Sequence, residues 1–88
     1  PTEVENALYE HPGVMEAAVI GWPDERQGEI VKAVIVPRKD AVLKADEMIS
    51  FCKERLTAYK VPKIIEVVDS LPKNPTGKIQ KKALQKKV

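Results

Sequence analysis

"VMEAAVIGWPDERQGEIVKAVIVP", residues 14–37, contains the two apolar runs that decide the fold. The first run predicts a strand from Val14 to about Gly21, because it is rich in β-branched residues and is stopped by Gly21 and Pro23. The polar segment WPDERQG that follows predicts a connecting loop. The second run, EIVKAVIVP, is apolar at almost every position except Lys32, which indicates a central strand covered on both faces. A short connection between adjacent strands favours an antiparallel pair.

The flanking segments predict three helices and a third strand around this pair. The opening segment PTEVENALYEHPG has the Thr2 and Glu5 spacing of a capping box and ends at Pro12-Gly13. Residues 46–57 carry apolar side chains at helical spacing, with Asp46 as the expected N-cap. KIIEVVD then predicts a strand, SLPKNPTG a loop and IQKKALQKKV a short basic helix. The order α-β-β-α-β-α predicts an α+β fold, a small three-stranded sheet flanked by helices.

The composition describes a single small globular domain. With 88 residues, 43% hydrophobic and 32% charged, the chain matches neither a disordered nor a fibrous class. No apolar run approaches the roughly 18 residues that cross a bilayer and no signal-peptide pattern opens the chain, so we expect a cytoplasmic protein without a transmembrane segment.

The charge is uneven along the chain. Residues 1–72 carry nine basic and thirteen acidic side chains, a net charge of −4, whereas residues 73–88 carry six lysines and no acid. The basic end predicts a solvated terminal helix or a contact with an anionic ligand.

Counting the reactive side chains excludes most catalytic centres. With Cys52 as the single cysteine and His11 as the single histidine, we expect neither a disulfide nor a metal site of the Cys/His type. His11 precedes Pro12 at a helix end, where a capping or exposed role is expected rather than that of a general base. Cys52 falls on the apolar stripe of a helix, which favours a buried packing thiol over a nucleophile.

The segment LPKNPTGK, residues 71–78, holds one lysine under conformational restriction. Pro72 and Pro75 each fix a backbone angle, and Gly77 can adopt a conformation that other residues avoid, so Lys78 leaves the backbone from a defined place. A flexible ammonium on a fixed base suits a phosphate or carboxylate that carries charge during a reaction. The residues alone leave this interpretation and a structural turn equally open.

Two consecutive segments near the C-terminus resemble motifs of a known superfamily. LTAYKVPKIIEVVDSLP, residues 56–72, and LPKNPTGKIQKKAL, residues 71–84, are similar to the C-terminal motifs of the adenylate-forming enzymes. That superfamily comprises acyl-CoA synthetases, luciferases and peptide-synthetase adenylation domains. Residues 1–37 resemble the start of its small C-terminal domain, so that the resemblance covers essentially the whole chain. Among subgroups, the motifs are most similar to those of fatty-acyl-CoA and aryl-CoA ligases.

The resemblance implies an acid–thiol ligase that works in two half-reactions. A carboxylate first attacks the α-phosphate of ATP in the presence of Mg2+, and the thiol of coenzyme A then displaces AMP from the acyl-adenylate. ATP, Mg2+ and coenzyme A are thus the implied cofactors and substrates, and none is expected to bind tightly to this chain alone. The small domain of such enzymes presents a different face to the site in each half-reaction.

Motif position implies a role for Lys78 in the first half-reaction. It matches the catalytic lysine that bridges the substrate carboxylate and the phosphate, with Gly77 beside it at the nucleotide. The other five lysines of residues 73–88 are expected to form a solvated face.

The CoA-binding residues follow from the same resemblance. Tyr59 matches an aromatic ring that lies against the adenine, Lys63 matches a cation at the nucleotide phosphates, and Lys60 is a further candidate. The loop around Gln27 matches a position where a relative presents tryptophan to the nucleotide. Val61 departs from the pattern, because some relatives have arginine there, and this weakens the expected phosphate contact.

The resemblance also implies that most of the enzyme lies outside these 88 residues. We expect the hinge and the large N-terminal domain, with the ATP and acyl pockets, to be absent, and the chain alone to be inactive. One alternative keeps the fold but transfers an aryl or amino acid to a carrier-protein thiol. Another is a basic module that binds nucleic acid, which we do not favour because residues 1–72 are net acidic.

Overall fold

The computed structural model describes residues 2–26 and 28–85. These residues form an α+β fold in the predicted order α-β-β-α-β-α. Among the described helices, none combines the length and the apolar character that crossing a membrane requires. The elements are α1 (Thr2–Tyr9), β1 (Val14–Asp24), β2 (Gly28–Pro37), α2 (Ala45–Lys53), a 3-10 turn (Ala58–Lys60), β3 (Ile64–Val67) and α3 (Lys81–Gln85).

The described strands form one mixed sheet with β2 in the centre. β1 and β2 are antiparallel, which confirms the predicted pair, and their ladder shifts register between Val14 and Glu16. β3 lies on the other side of β2 and runs parallel to it, from the pair Lys32–Ile64 to the pair Ile35–Val67. The parallel arrangement requires a crossover, which α2 and the 3-10 turn provide.

The first strand is longer than predicted. The sequence predicts a loop for the segment WPDERQG, but the ladder continues through Trp22–Ile30 to Asp24–Gly28. Pro23 lies within β1, where its missing N–H is tolerated because β1 is an edge strand. Cross-strand pairing therefore overrides the local turn signal of these residues.

Helix α2 is shorter than predicted and starts differently. It ends at Lys53 rather than residue 57, because the N–H groups of Arg55 and Leu56 both donate to the Cys52 carbonyl and close the last turn. The expected N-cap, Asp46, is wrong. Lys44 occupies that position without a side-chain cap, and Asp46 Oδ1 instead accepts from the adjacent Glu47 N–H at 2.9 Å.

The hydrophobic core lies on both faces of the sheet, as predicted for a central strand. Side chains alternate along each strand, so Ala33 and Ile35 of β2 face one way, and Val34 and Val36 the other. We call these sides the first and the second face. The first face packs against α1 and α2. The other buried residues of this core are Val4, Leu8, Val14, Ala17, Val19, Met48, Cys52 and Val61. On the second face, Leu71 and the α3 residue Leu84 form a core together with Ala18 and Ile20 of β1.

Helix α1 also protects the outer edge of β1. The Tyr9 hydroxyl accepts from the Ala17 N–H at 3.1 Å, and Glu5 Oε2 accepts from the Val19 N–H at 2.9 Å. The capping box expected at Thr2 and Glu5 is therefore wrong at Glu5. The Glu5 carboxylate accepts a hydrogen bond from β1 and not from the backbone at the start of α1. Pairing the free N–H groups of an edge strand removes a site for unwanted strand association.

Lys32 places a charge on the second face of the central strand. Its side chain is only 8% exposed, and its ammonium lies 3.0 Å from Glu66 Oε1 of β3. The same ammonium lies 3.6 Å from the centre of the Trp22 ring. A buried charge needs such partners. Glu66 of β3 and Trp22 of β1 therefore explain how a lysine is tolerated in the apolar run of β2.

Candidate functional site

Lys78 lies in a short hairpin, residues 73–79, which we call the Lys78 hairpin. Lys73 and Ile79 form an antiparallel bridge that closes it, and the Asn74 N–H donates to the Lys78 carbonyl at 2.9 Å. The Gly77 N–H donates to the Asn74 carbonyl, also at 2.9 Å. The hairpin is thus held by its own backbone, as the prolines and glycine of the sequence predict.

Asn74 organises the tip of this hairpin. Its side-chain oxygen Oδ1 accepts from the Thr76 N–H at 3.1 Å, the Thr76 hydroxyl at 2.6 Å and the Lys78 N–H at 3.0 Å. Asn74 is not among the residues predicted from the sequence, although asparagine before a Pro-containing turn is a known signal for side-chain bonding to the backbone. These bonds fix the point at which the Lys78 side chain leaves the backbone.

Gly77 permits the bend directly before Lys78. Its φ is +87°, in the left-handed region, and no atom lies within 4 Å of where a Cβ would stand. The glycine is therefore needed for its backbone angle rather than for a close approach. Its expected contact with a nucleotide stays a prediction.

The Lys78 side chain extends into solvent. Within residues 2–26 and 28–85, its ammonium has no hydrogen bond or ion pair. An exposed cation on a conformationally fixed base can approach an external anion without first losing an internal partner.

Two neighbouring lysines are not simply solvated, contrary to expectation. Lys73 lies 2.7 Å from Glu16 of β1, and Lys81 lies 2.7 Å from Glu5 of α1. Both side chains are 42% exposed, so they are solvated in part as expected, but the fold also brings acidic side chains from the first 16 residues beside them. Lys82 is exposed, as expected, whereas Lys86 and Lys87 lie outside the described residues.

Tyr59 and Lys60 lie together beside a groove of about 490 Å3. Tyr59 is 78% exposed, and the Lys60 ammonium lies 5.7 Å from the centre of its ring. Apolar side chains including Val4, Val19 and Val31 form part of the groove lining. An exposed aromatic ring, a nearby cation and an apolar floor can together accept a flat, anionic ligand.

The Lys60 ammonium already has an acidic partner. It donates to Glu3 Oε2 of α1, and this hydrogen bond, together with the negative charge of Glu3, raises the pKa of Lys60. An anion that binds Lys60 must therefore share or replace the Glu3 contact.

Lys63, a further expected CoA contact, lies apart from this groove. Lys63 is exposed beside a separate depression formed with Ile49 and Pro62, and its N–H donates to the Val31 carbonyl at 2.9 Å. Gln27 lies outside the described residues.

The Lys78 hairpin and the Tyr59 segment lie on opposite faces of the sheet. Ile79, adjacent to Lys78, packs against the core of the second face, whereas Val61, two residues after Tyr59, belongs to the core of the first face. The expected residues are thus divided between two surfaces.

Cys52 and His11 have the structural positions expected for them. Cys52 is completely buried in the core of the first face, and burial raises the pKa of its thiol while the nearby Arg55 opposes that effect. His11 Nδ1 accepts from the Gly13 N–H at 2.9 Å and thereby closes the turn after α1. Within residues 2–26 and 28–85, no group of three or more His, Cys, Asp or Glu side chains could hold a metal ion.

Comparison with known families supplies a match over most of the chain. The family described as the AMP-binding enzyme C-terminal domain matches residues 3–78. The matched region contains both surfaces described above and ends at Lys78.

Individual relatives carry the names of CoA ligases with different acyl groups. The 3-[(3aS,4S,7aS)-7a-methyl-1,5-dioxo-octahydro-1H-inden-4-yl]propanoyl:CoA ligase of Rhodococcus jostii is 52% identical over 97% of this chain. Feruloyl-CoA synthase of an Amycolatopsis species is 51% identical over 92% of it. The chain spans 16% of the length of each of these curated relatives. Among solved structures, Mycobacterium tuberculosis fatty acyl CoA synthetase matches with a TM-score of 0.89 and 42% identity, over 97% of this chain and 17% of that one.

Proposed function

This chain belongs to the family of AMP-binding enzyme C-terminal domains, and from that premise we propose that it is the C-terminal domain of an ATP-dependent acyl-CoA synthetase. The proposed enzyme is cytoplasmic and contains a large N-terminal domain that binds ATP and the acyl group. We retain the fatty acid as the proposed acyl substrate, supported by the name of the solved M. tuberculosis relative. The single observation that carries the proposal is the ordered hairpin that presents Lys78 without an internal partner among the described residues.

Lys78 is proposed to act in adenylate formation. In that step a carboxylate oxygen attacks the α-phosphate of ATP, so two anions must approach each other. An ammonium about 4 Å from each anion contributes roughly 4 kcal/mol per contact at an effective dielectric constant of 20, which offsets much of their repulsion. Mg2+ is proposed to enter with ATP, because this ion is usually held in large part by substrate phosphates.

The test measures the two half-reactions separately in the complete enzyme that carries this domain. Lys78→Ala should reduce acyl-dependent pyrophosphate release by orders of magnitude and spare thioester formation from supplied acyl-adenylate. Lys82→Ala is the matched control, since Lys82 is exposed in the adjacent helix. Equal losses in both half-reactions for Lys78→Ala would refute the role of Lys78.

The groove beside Tyr59 is proposed to receive coenzyme A in the second half-reaction. Tyr59 would stack on the adenine, with Lys60 and Lys63 near the phosphates, and the exposure of Tyr59 supports this because a ring packed into the core could not stack on a ligand. In the complete enzyme, Tyr59→Ala should raise the KM for coenzyme A and leave pyrophosphate release unchanged. An unaltered KM would assign Tyr59 a structural role instead.

The pyrophosphate-release assay, run with a panel of carboxylates, would identify both the acyl group and the thiol that accepts it. Pyrophosphate release with fatty acids, followed by product formation that requires coenzyme A, supports the proposal. Release with aryl or amino acids and transfer to a carrier-protein thiol would support the alternative enzyme. The nucleic-acid-binding alternative is disfavoured by the ion pairs of Lys73 and Lys81, which leave fewer lysines available to phosphates.

A further inference from the structure

We propose that Lys73 and Lys81 are positioning residues that fasten the Lys78 hairpin to the body of the domain, Lys73 at the first residue of the hairpin and Lys81 at the start of α3, two residues after the hairpin ends. This inference rests on the proposed role of Lys78 in adenylate formation. Lys73 lies five residues before Lys78 and pairs with Glu16 at 2.7 Å, and Lys81 lies three residues after it and pairs with Glu5 at 2.7 Å. The two pairs thus bracket the proposed reactive lysine on both sides.

The acidic partners are themselves held in place. The Glu16 side chain is 22% exposed on β1, and the Glu5 side chain is 19% exposed on α1, where it also accepts from the Val19 N–H. The carboxylate of the pair between Arg55 and Glu10 is 64% exposed, although the Lys73 and Lys81 ends, at 42%, are as open to solvent as Arg55 at 36%. Partly buried carboxylates with restricted rotamers make better anchors than freely solvated ones, because less side-chain entropy is lost on pairing.

Apolar contacts complete the attachment. Leu71 is buried and Ile79 packs beside it against the second face, so that the hairpin is held by two charged and two apolar contacts. The Gln80 N–H also donates to the Pro72 carbonyl at 2.8 Å, which joins the two arms below the bridge. The hairpin that carries Lys78 is therefore attached to the body of the domain at several points.

Accurate placement matters because proximity effects are steep. A displacement of about 1 Å can reduce a rate by about 10²-fold. Loss of one ion pair that loosens one arm should therefore affect adenylate formation more than thioester formation, which uses the opposite face. If the two ion pairs only stabilised the fold, their loss would lower the amount of folded enzyme and would thereby reduce the rates of both half-reactions equally.

The experiment uses Lys73→Met and Lys81→Met in the complete enzyme, with Lys82→Met as the matched control. Methionine keeps most of the length and the apolar stem of lysine and removes the charge. We expect each of the two variants to lower the rate of adenylate formation about tenfold, with little change in the KM for ATP or in thioester formation from supplied acyl-adenylate. Lys82→Met should resemble the wild type in every measurement.

A charge exchange distinguishes the ion pair from the lysine itself. Glu16→Lys should lower adenylate formation at least as much as Lys73→Met, and the double variant Glu16→Lys with Lys73→Glu should recover most of the lost rate. Wild-type rates in Lys73→Met and Lys81→Met, equal losses in both half-reactions, or failure of the exchange to restore activity would overturn the inference. If Lys78→Ala itself spares adenylate formation, the proposed function fails first, and the two failures are thereby distinguished.

Discussion

Replacement of Gly77 by alanine tests whether the backbone at the hairpin tip controls the position of Lys78. The φ of +87° is unfavourable for any residue with a Cβ, at a cost of about 1–2 kcal/mol. Because no atom lies within 4 Å of the added methyl group, steric clash contributes nothing to this cost. Alanine also reduces the entropy of the unfolded chain, and such gains of about 0.4–1 kcal/mol occur at compatible sites. We therefore expect a net penalty of about 1 kcal/mol, concentrated at the hairpin.

Gly28 supplies a matched control for this substitution. Its φ is +78°, and it too has no atom within 4 Å of where a Cβ would stand, so Gly28→Ala carries the same backbone penalty at a different turn. Each variant should lower the Tm of the 88-residue chain by up to about 4–8 °C. In the complete enzyme, only Gly77→Ala should slow pyrophosphate release, by up to about fivefold, since a change of about 1 kcal/mol alters the equilibrium constant between two conformations by roughly that factor.

Two outcomes would refute this reasoning. Pyrophosphate release at the wild-type rate in Gly77→Ala would show that the tip conformation does not control Lys78. An equal decrease in Gly28→Ala would show that general destabilisation is responsible, and not the geometry of the Lys78 hairpin.

Three further predictions concern the body of the domain. Because Glu3 raises the pKa of Lys60, their pair stabilises the fold below the ordinary lysine pKa and loses this effect as the pH rises through the raised pKa. Glu3→Gln should therefore lower the Tm at about pH 8, and this difference in Tm should shrink as the pH rises above the ordinary lysine pKa. A difference in Tm that does not change with pH would contradict that assignment. Burial of Cys52 predicts that a thiol reagent modifies the native chain at least about 10²-fold more slowly than the chain unfolded in urea, and comparable rates would contradict it. Glu66→Gln should lower the free energy of unfolding in urea by about 1 kcal/mol, because the Lys32 ammonium then loses its ionised partner and keeps the Trp22 ring and at most a neutral amide oxygen. The value is moderate since the Glu66 side chain is 37% exposed, and an unchanged urea midpoint would count against it.

The secondary structure is largely predictable because its signals are local. The apolar runs before Gly21 and after Gln27 indicate strands, and the antiparallel pairing of β1 with β2 follows from the short connection between them. Boundaries are less predictable. The extension of β1 through Asp24 depends on hydrogen bonds to β2, which outweigh the turn preference of Pro23 and its neighbours.

The candidate site is predictable only in part. Pro75 and Gly77 indicate a restricted segment through their backbone preferences, and the family resemblance draws attention to Lys78. The role of Asn74 is harder to predict, because its side chain bonds to three groups that come together only when the hairpin closes. The division of the site residues between two faces of the sheet likewise depends on how the core packs.

By itself, the sequence determined the α-β-β-α-β-α order and the conformational restriction at Lys78, because periodicity and backbone preference depend on neighbouring residues. Only the tertiary structure decided the parallel placement of β3 and the attachment of the hairpin. Glu5 meets Lys81 and Glu16 meets Lys73 across most of the length of the chain. Such pairs follow from how helices and strands pack in space, whereas the charge pattern of the basic end, taken alone, indicated a solvated helix or a contact with an external anion and no acidic partner within the domain.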